Sequence, residues 1–261
     1  MKYRIDNDLH IHSFLSSCSG DENQTPENIL KYAKENGLSH ICLTNHFWDE
    51  NVPGASAWYA PQNYTHLASA LPLPTDKDVR FSFGCEADMD KALTLGIARD
   101  TFDKFEFIII PTSHLHMSGF TIENNVLSAK DRAEYYMRRN NALLEMDLPF
   151  SKMGLAHFTS PLMAYNSETT RDEILNCISD SELYAFFDKV SNAGMGVELN
   201  ISVADAASEI VQRPFRIARE CGCKFYLGSD AHNVGNLQGA MSKFAAIINA
   251  LELDESDKFT F

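Results

Sequence analysis

Two pairs of residues in this sequence have the types and the spacing of metal ligands. His10 and His12 lie in the segment DLHIH, and Asp230 and His232 lie in the segment GSDAH far along the chain. On a β-strand, residues i and i+2 point to the same side, so both members of each pair can face one ion. One such pair alone is more often two half-buried polar side chains, but two pairs together favour a metal site.

More residues with ligand chemistry follow short apolar runs. They are His46 in LTNH, Glu86 in GCEAD, His114 in TSHLH and His157 in GLAH. Any one of these histidines alone is more often a hydrogen-bonded structural residue. Glu86 can be a solvated glutamate, or it can bridge two metals, because its two oxygens offset the repulsion between cations. Asp88 shares its side of an extended chain or begins the next turn. Histidine and carboxylate ligands suit zinc, manganese or iron.

The elements that must position these residues repeat one order: a helix, a glycine, a short apolar strand and a polar residue. Thr25 is a predicted helix cap before Pro26, Gly37 is the predicted stop, and a strand at residues 41–43 leads to His46. Such alternation predicts a parallel sheet, and about seven strand candidates favour a closed α/β barrel. Barrels carry their active sites at the C-terminal ends of the strands, where these polar residues lie. An open doubly wound sheet is the alternative, but it brings fewer of them together.

Composition narrows the class of protein. The 261 residues are 44% hydrophobic, which suits one α/β domain spanning residues 1–261. The formal net charge of -14 disfavours nucleic acid and anionic membranes as partners. No stretch has the length of a transmembrane helix and the N-terminus lacks a signal-peptide core, so a cytoplasmic protein is expected. The six cysteines are interpreted as reduced thiols. The sequence does not indicate an oligomeric state.

Motifs of several other enzyme classes are absent from the sequence. It contains no G-x-S-x-G or G-x-x-x-x-G-K-[ST] motif, and no G-x-G-x-x-G follows the first strand. These motifs build a nucleophile elbow, a phosphate loop and a dinucleotide site. Catalysis through a covalent serine or cysteine intermediate therefore has little support, and the histidines and carboxylates are the candidate catalytic groups.

Taken in order, these residues resemble the PHP (polymerase and histidinol phosphatase) family, and the match covers nearly the whole chain. The motifs that carry it are DLHIH, TNH, GCE, TSH, AH and GSDAH, at residues 8–12, 44–46, 84–86, 112–114, 156–157 and 228–232. The stretch SSCSGDENQ at residues 16–24 is most similar to the histidinol-phosphatase branch. The resemblance implies a distorted (β/α)7 barrel, similar to a TIM barrel, with two or three divalent metal ions at the C-terminal end of its strands.

The resemblance also implies which residues bind each ion. The first ion is expected to bind His10, His12, Glu86 and Asp230. The second is expected to bind Glu86, His114 and His157. The third is expected to bind His46, His232 and a residue of the loop after the first strand, for which Asp21 is the candidate.

Two positions depart from the pattern of the family. Asn45 stands where relatives commonly have an aspartate before the histidine. The strand motif Glu198-Leu199-Asn200 is followed by ISVAD, without the arginine that histidinol phosphatases of this type usually carry there. The second departure weakens histidinol phosphate as the substrate and leaves the metal chemistry intact.

The activity that the resemblance implies is metal-dependent hydrolysis of a small phosphorylated metabolite, a phosphomonoester, with three catalytic residues: Glu86, Asp230 and His232. Arg171 is the candidate to bind the phosphate, which needs positive charge beyond the metals, and His116 is a candidate to face the substrate. Arg138 and Arg139 are weaker candidates, since their neighbourhood is interpreted as a solvated, charged helix.

Three other functions stay open at this point. The chain can be a histidinol-phosphate phosphatase, a non-catalytic metal-binding regulatory module, or a PHP-type nuclease. A regulatory module keeps the fold but lacks an open coordination position. A nuclease fits poorly with the strongly acidic composition.

Overall fold

The strands of the protein form one parallel sheet that curls into a nearly closed barrel. The computed structural model describes residues 1–202 and 204–261. Seven strands follow one another in the order β1-β2-β4-β5-β6-β7-β8, and the short β3 pairs with β4. Every pairing between strands is parallel. The strands are β1 (Asn7–Ile11), β2 (His40–Leu43), β3 (His46–Phe47), β4 (Arg80–Ala87), β5 (Phe107–Ile110), β6 (Met153–Leu155), β7 (Gly196–Asn200) and β8 (Lys224–Gly228). The predicted distorted (β/α)7 barrel is confirmed.

Helices connect the strands and cover the outside of the barrel. Thr25 caps the first helix by accepting a hydrogen bond from the amide of Asn28, and Pro26 follows it, as predicted. No helix of the described residues is both long enough and apolar enough to cross a membrane. The helices are α1 (Pro26–Glu35), α2 (Tyr64–Leu67), α3 (Ala129–Leu144), α4 (Arg171–Asn176), α5 (Asp180–Ala193), α6 (Glu209–Glu220) and α7 (Ala240–Ala250).

The barrel closes where β1 meets β8, a junction that we call the seam. Side chains of β1 make part of this junction, because Asn7 Oδ1 accepts the amide of Leu227 at 3.1 Å and Asp8 Oδ1 accepts the amide of Ser229 at 2.9 Å. Nearer the C-terminal end, the amide of Asp230 donates to a backbone carbonyl of β1 at 2.8 Å. The first and last strands are therefore neighbours, as the sequence predicted.

Apolar side chains fill the interior of the barrel beneath its C-terminal end. Phe107 of β5 and Tyr226 of β8 lie on strands that are not adjacent, yet their ring centroids are 5.2 Å apart. They belong to a buried cluster of Leu9, Cys42, Phe107, Ile109, Ala156, Tyr226 and Phe259. The interior is therefore a packed core rather than a channel. The polar residues at the strand ends lie above this layer of buried apolar side chains.

Candidate metal centre

Glu86, near the end of β4, lies at the centre of the histidine cluster. Its side chain is buried, with 1% relative exposure. One carboxylate oxygen, Oε1, lies 3.0 Å from His157 Nε2 and 4.0 Å from His114 Nε2. The other, Oε2, lies 2.9 Å from His46 Nδ1 and 3.4 Å from His12 Nε2. A single carboxylate thus faces histidines on both sides, as a group that bridges two cations would.

The two predicted i, i+2 pairs converge across the seam. Asp230 Oδ1 lies 3.3 Å from the Nε2 atoms of both His10 and His12. Those two nitrogens are 2.9 Å apart. The ring of His232 stacks on the ring of His12, with centroids 4.1 Å apart and an interplanar angle of 19°. Residues from opposite ends of the sequence therefore form one side of the cluster.

Three groups of side chains bring potential ligand atoms within 4.8 Å of one another. They are His10, His12 and Glu86; Glu86, His114 and His157; and His12, His46 and His232. Glu86 and His12 each belong to two groups, so the groups form one continuous centre. The described residues can therefore hold several metal ions, as predicted from the sequence.

The structure does not bring Asp21 into any of these groups within the described part of the chain. Asp21 Oδ2 accepts the amide of Val234 at 3.0 Å, and Oδ1 accepts the amide of Asn23 at 2.9 Å. Asp21 therefore ties the loop after β1 to the loop after β8. Cys18 of the same loop lines the cavity above the cluster together with His46. The only feature of the sequence that pointed to Cys18 was its place in the stretch SSCSGDENQ at residues 16–24.

Five histidines have their Nδ1 atoms held by a partner. The pairs are His10 with Glu198 Oε1 at 2.7 Å, His12 with Ser16 Oγ at 2.8 Å, His114 with Asp88 Oδ2 at 2.9 Å, His157 with Ser113 Oγ at 2.8 Å, and His232 with the Asp230 carbonyl at 2.8 Å. A hydrogen bond at Nδ1 sets the tautomer and the ring orientation, and leaves the Nε2 lone pair for a metal. This is the arrangement that metal-binding histidines use.

Glu198 is a site residue that the sequence flagged only as part of a strand motif. It is fully buried, and its second oxygen accepts the amide of His157 at 2.6 Å. One carboxylate therefore positions both His10 and His157. A Cβ atom on Gly228 would collide with Glu198 Oε1, so only glycine fits there. Strand alternation places Asn200 on the same side as Glu198, and Asn200 Nδ2 lies 3.3 Å from Asp230 Oδ2.

Asn45, the first departure from the family pattern, organises the loop after β1. Its Oδ1 accepts the Ser13 amide at 2.7 Å and the Ser16 hydroxyl at 2.9 Å. Because Ser16 also contacts His12 Nδ1, Asn45 stabilises the position of that ring through the serine. A neutral amide satisfies these donors without adding another negative charge to the cluster.

Arg139 corrects an interpretation made from the sequence. Its side chain is fully buried, and it donates to the backbone carbonyls of Thr112 and Met89 at 3.2 and 2.9 Å. It also lies 3.5 Å from Asp88 Oδ1. The interpretation of this helix as a solvated charged surface is therefore wrong for Arg139 and holds for Arg138, which is exposed. Helical periodicity could not show that loops at two strand ends would present carbonyls to α3.

The two predicted substrate-binding residues have different positions. Arg171 begins α4 and pairs with Asp172 at 2.9 Å, and it is not among the residues that line the cavity over the cluster. Its predicted contact with phosphate therefore stays a prediction. His116 does line the cavity, with its ring centroid 5.0 Å from that of His114. Its Nδ1 atom is buried and has no hydrogen-bond partner among the described residues.

Charge and burial oppose each other in the cluster. Burial raises the pKa of Glu86, but the charges of His46 and His10 outweigh it and hold that pKa well below its usual value. The pKa of Asp230 is likewise held well below its usual value, against burial, chiefly by His10. Burial lowers the pKa of His232 to about 3. Against burial, the carboxylates in turn raise the pKa of His10 well above its usual value. The ionised carboxylates and the neutral ring of His232 are in the protonation states that bind metal cations.

Two of the clustered residues have unusual backbone conformations. His157 has φ 29° and Asp230 has φ 53°, in the left-handed region that non-glycine residues seldom adopt. Each follows a strand and turns its side chain toward Glu86 or the seam. Such strain concentrates at functional sites, where the surrounding structure enforces it.

A cavity of about 460 Å³ opens above the cluster. Glu86, Asp230 and four histidines line it on one side, and apolar or aromatic residues line it on the other. Those residues are Trp58, Tyr59, Met117 and Leu162. A small organic molecule fits a space of this size.

The family model of the PHP domain matches residues 8–202. The chain belongs to the PHP domain family. The match includes all the clustered residues except Asp230 and His232, which lie on the strand end that closes the barrel. The resemblance stated from the motifs is therefore confirmed, and no curated protein matches this PHP-domain chain at a significant level.

Two solved structures share the fold of this PHP-domain protein. One is the histidinol phosphate phosphatase of Lactococcus lactis subsp. lactis Il1403, in complex with zinc, L-histidinol and phosphate. It has a TM-score of 0.64 and 17% sequence identity, over 98% of this chain and 99% of that one. The other, from Listeria monocytogenes, is assigned as a histidinol phosphatase and has a TM-score of 0.58 and 14% identity, over 91% of this chain and 99% of that one. At these identities the likeness concerns the fold.

Proposed function

We propose that this PHP-domain protein hydrolyses small phosphomonoesters with the help of metal ions bound at the candidate centre. The observation that carries the proposal is the overlap of three ligand groups on Glu86 and His12. Ligand groups that share residues would hold neighbouring cations, as two-metal enzymes that act on phosphate esters do.

Unsatisfied buried atoms in the cluster support a metal site. Glu86 Oε2 and His46 Nδ1 lie 2.9 Å apart, yet neither has a partner in hydrogen-bonding orientation among residues 1–202 and 204–261. Buried polar atoms are nearly always satisfied, so such atoms call for a ligand. The carboxylates and imidazoles present here are donors that zinc, manganese and iron accept. The residues therefore fit the predicted cofactor.

The residues of the centre have separable tasks in this proposal. When bound, divalent ions supply the Lewis acidity that activates water and neutralises phosphoryl charge. Glu86 and Asp230 supply the negative charge that retains the cations. Glu198, Asp88 and the two serines hold the imidazole rings in place. His232, whose side chain is 26% exposed at the cavity, is the residue that we assign to contact the substrate.

The alternatives differ in what they require of the site. A regulatory module would have its coordination positions closed by protein atoms, whereas a cavity opens directly above this cluster. A nuclease needs positive charge along a groove, and the net charge is -14. Histidinol phosphate is the substrate named for a protein of the same fold, so it is the second candidate within the phosphomonoester class.

Metal analysis joined to an activity assay tests this function. The purified protein is expected to contain at least two equivalents of transition metal, and phosphomonoesterase activity should disappear on chelation and return with manganese or zinc. Duplex DNA, the control substrate, should not be cleaved. Full phosphatase activity after verified removal of metal would contradict the proposal.

A further inference from the structure

The apolar wall of the cavity stands directly beside the metal centre. The ring of Trp58 meets the ring of His46 with centroids 5.1 Å apart, and Tyr59 packs edge-on against Trp58 at 4.7 Å. Trp58, Met117 and Leu162 are only partly buried, so their surfaces face the cavity that they line. An ester whose phosphoryl group lies at the centre can therefore place its alcohol against this wall.

Charges that could recognise a charged alcohol do not line the cavity. Among the described residues, its lining contains no lysine or arginine, and its only carboxylates are Glu86 and Asp230 of the metal centre. Transferring an ammonium group or a second phosphate into such a space is costly when no partner is present. The lining therefore disfavours alcohols that carry a charge of either sign.

His116 does not change the apolar character of this lining. Its ring lines the cavity, but its Nδ1 atom is buried and has no hydrogen-bond partner among the described residues. That nitrogen therefore presents no surface to a substrate, and no charged or hydrogen-bonding group of the alcohol is needed to match it.

We infer that the cavity selects phosphomonoesters of uncharged aromatic alcohols, with the aromatic ring packed on Trp58. This inference rests on the proposed function and names its substrate class. Hydrolysis breaks the bond between phosphorus and the alcohol oxygen and forms a bond from phosphorus to the oxygen of water. The products are the free alcohol and inorganic phosphate, and no oxidant or reductant takes part.

A panel of alkyl phosphates with the metal-loaded protein tests the inference. It compares 2-phenylethyl phosphate with glycerol 3-phosphate, O-phosphoethanolamine and histidinol phosphate, all esters of primary alcohols, so leaving-group chemistry differs little. We expect kcat/KM for 2-phenylethyl phosphate to be at least about tenfold higher than for the others, since burial of one aromatic ring is worth more than that factor. The phosphonate analogue of the aromatic ester should inhibit competitively.

Variants locate the preference on the wall. Trp58→Ala should lower the ratio of kcat/KM between 2-phenylethyl phosphate and glycerol 3-phosphate at least fivefold, mainly through KM for the aromatic ester, and Trp58→Phe should retain most of the ratio. Tyr184→Ala is the matched control, because it removes an aromatic ring that is 39% exposed on α5. It should leave kcat/KM for both esters unchanged.

The outcomes separate the two proposals. Hydrolysis of no phosphomonoester at all would refute the proposed function itself. Efficient hydrolysis with glycerol 3-phosphate, O-phosphoethanolamine or histidinol phosphate preferred would overturn the substrate class and leave the function standing. An unchanged ratio in Trp58→Ala would likewise overturn the assignment of the aromatic ring to this wall.

Discussion

The Nδ1 atom of His114 lies 2.9 Å from the Oδ2 atom of Asp88. The same Asp88 oxygen accepts the hydroxyl of Tyr59 at 2.8 Å, and Oδ1 accepts the amide of Met89 at 2.7 Å. The guanidinium group of Arg139 lies 3.5 Å from Oδ1 of the same carboxylate. Asp88 is thus an anion held in place by several contacts, and it directs the other nitrogen of His114 toward Glu86.

Replacing Asp88 by asparagine should weaken metal binding without removing a ligand. The neutral amide holds the imidazole less firmly and lowers its basicity, and loss of such a partner typically costs about 10- to 100-fold in affinity. Competition with a metallochromic chelator measures this change. Asp90→Asn, the same replacement two residues further on, is the control and should bind metal like the wild type. Equal affinities of Asp88→Asn and wild type would show that the contact has no such role.

Replacing Glu86 by glutamine should have a larger effect than Asp88→Asn. The substitution keeps the size of the side chain and removes the charge that faces histidines on both sides. We expect loss of bound metal and a fall in phosphatase rate of at least a hundredfold, on the order of 3 kcal/mol of barrier. Elemental analysis and steady-state kinetics of the two variants, prepared in parallel, check the order. Equal effects of Glu86→Gln and Asp88→Asn would contradict the bridging position of Glu86.

His114 and His116 should differ in their effect on metal content. Only His114 belongs to a potential ligand group among the described residues, and its Nδ1 is held by Asp88, whereas His116 Nδ1 is unpartnered. His114→Ala is expected to lose metal. His116→Ala should keep the wild-type metal content and change KM. The assignment is reversed if His116→Ala strips metal while His114→Ala does not.

His40, far from the cluster, should make the protein sensitive to acid. Burial lowers the pKa of His40 to about 4, and the charge of Arg80 adds to this, against the opposing charges of Glu106 and Asp6. Above pH 6.5 the ring is neutral in both the folded and unfolded states and has no effect. As the pH falls from 6.5 toward 4, His40 binds a proton in the unfolded state but not in the folded state, so the free energy of unfolding decreases.

The replacement His40→Gln should remove this dependence of stability on pH. The side-chain amide of glutamine can keep the contact with Ser82, whose Oγ lies 3.0 Å from His40 Nε2 in the wild type. Between pH 7 and pH 5 the wild type is expected to lose about 1–2 kcal/mol more stability than the variant. Urea unfolding of both proteins with chelator present, at several pH values, gives the comparison. Parallel losses of stability in the two proteins would refute the role of His40.

The placement of the clustered residues was predictable because it follows from local rules. A strand's period of two puts His10 with His12 and Asp230 with His232, and barrel closure brings these pairs together. Glu86 and His157 each end an apolar run, so their place at the rim also follows from the pattern. These predictions required no knowledge of loop conformation.

What the sequence did not predict depends on loops and on long-range packing. Asp21 was chosen by its position in the loop after β1, and that position did not indicate that its carboxylate accepts the amides of Val234 and Asn23. Arg139 is buried because carbonyls from two strand ends surround it. Arg171 carries a suitable charge, yet it pairs with Asp172 and does not line the cavity. In each case, the charge or spacing was visible and the geometry of the surrounding chain decided the outcome.

The seam between β1 and β8 has a consequence for slow motions of the barrel. The amides of Leu227 and Ser229 are bonded to the side chains of Asn7 and Asp8, whose rotation can release them without moving a strand. Just beyond, the His10–His12 and Asp230–His232 pairs face each other from opposite sides of the junction. Ions bound between these pairs would fasten the last strand to the first.

Amide hydrogen exchange should therefore report on metal occupancy. Removing metal is expected to accelerate exchange at Leu227 and Ser229 more than at Ala156, whose amide bonds to the carbonyl of Ile110 at 3.1 Å in the continuous part of the sheet. Mass spectrometry of the metal-loaded and chelated proteins can compare these sites. Uniform acceleration around the barrel would contradict this expectation. Faster exchange at Leu227 and Ser229 alone would mean that the cations needed for the proposed hydrolysis also hold the first and last strands together.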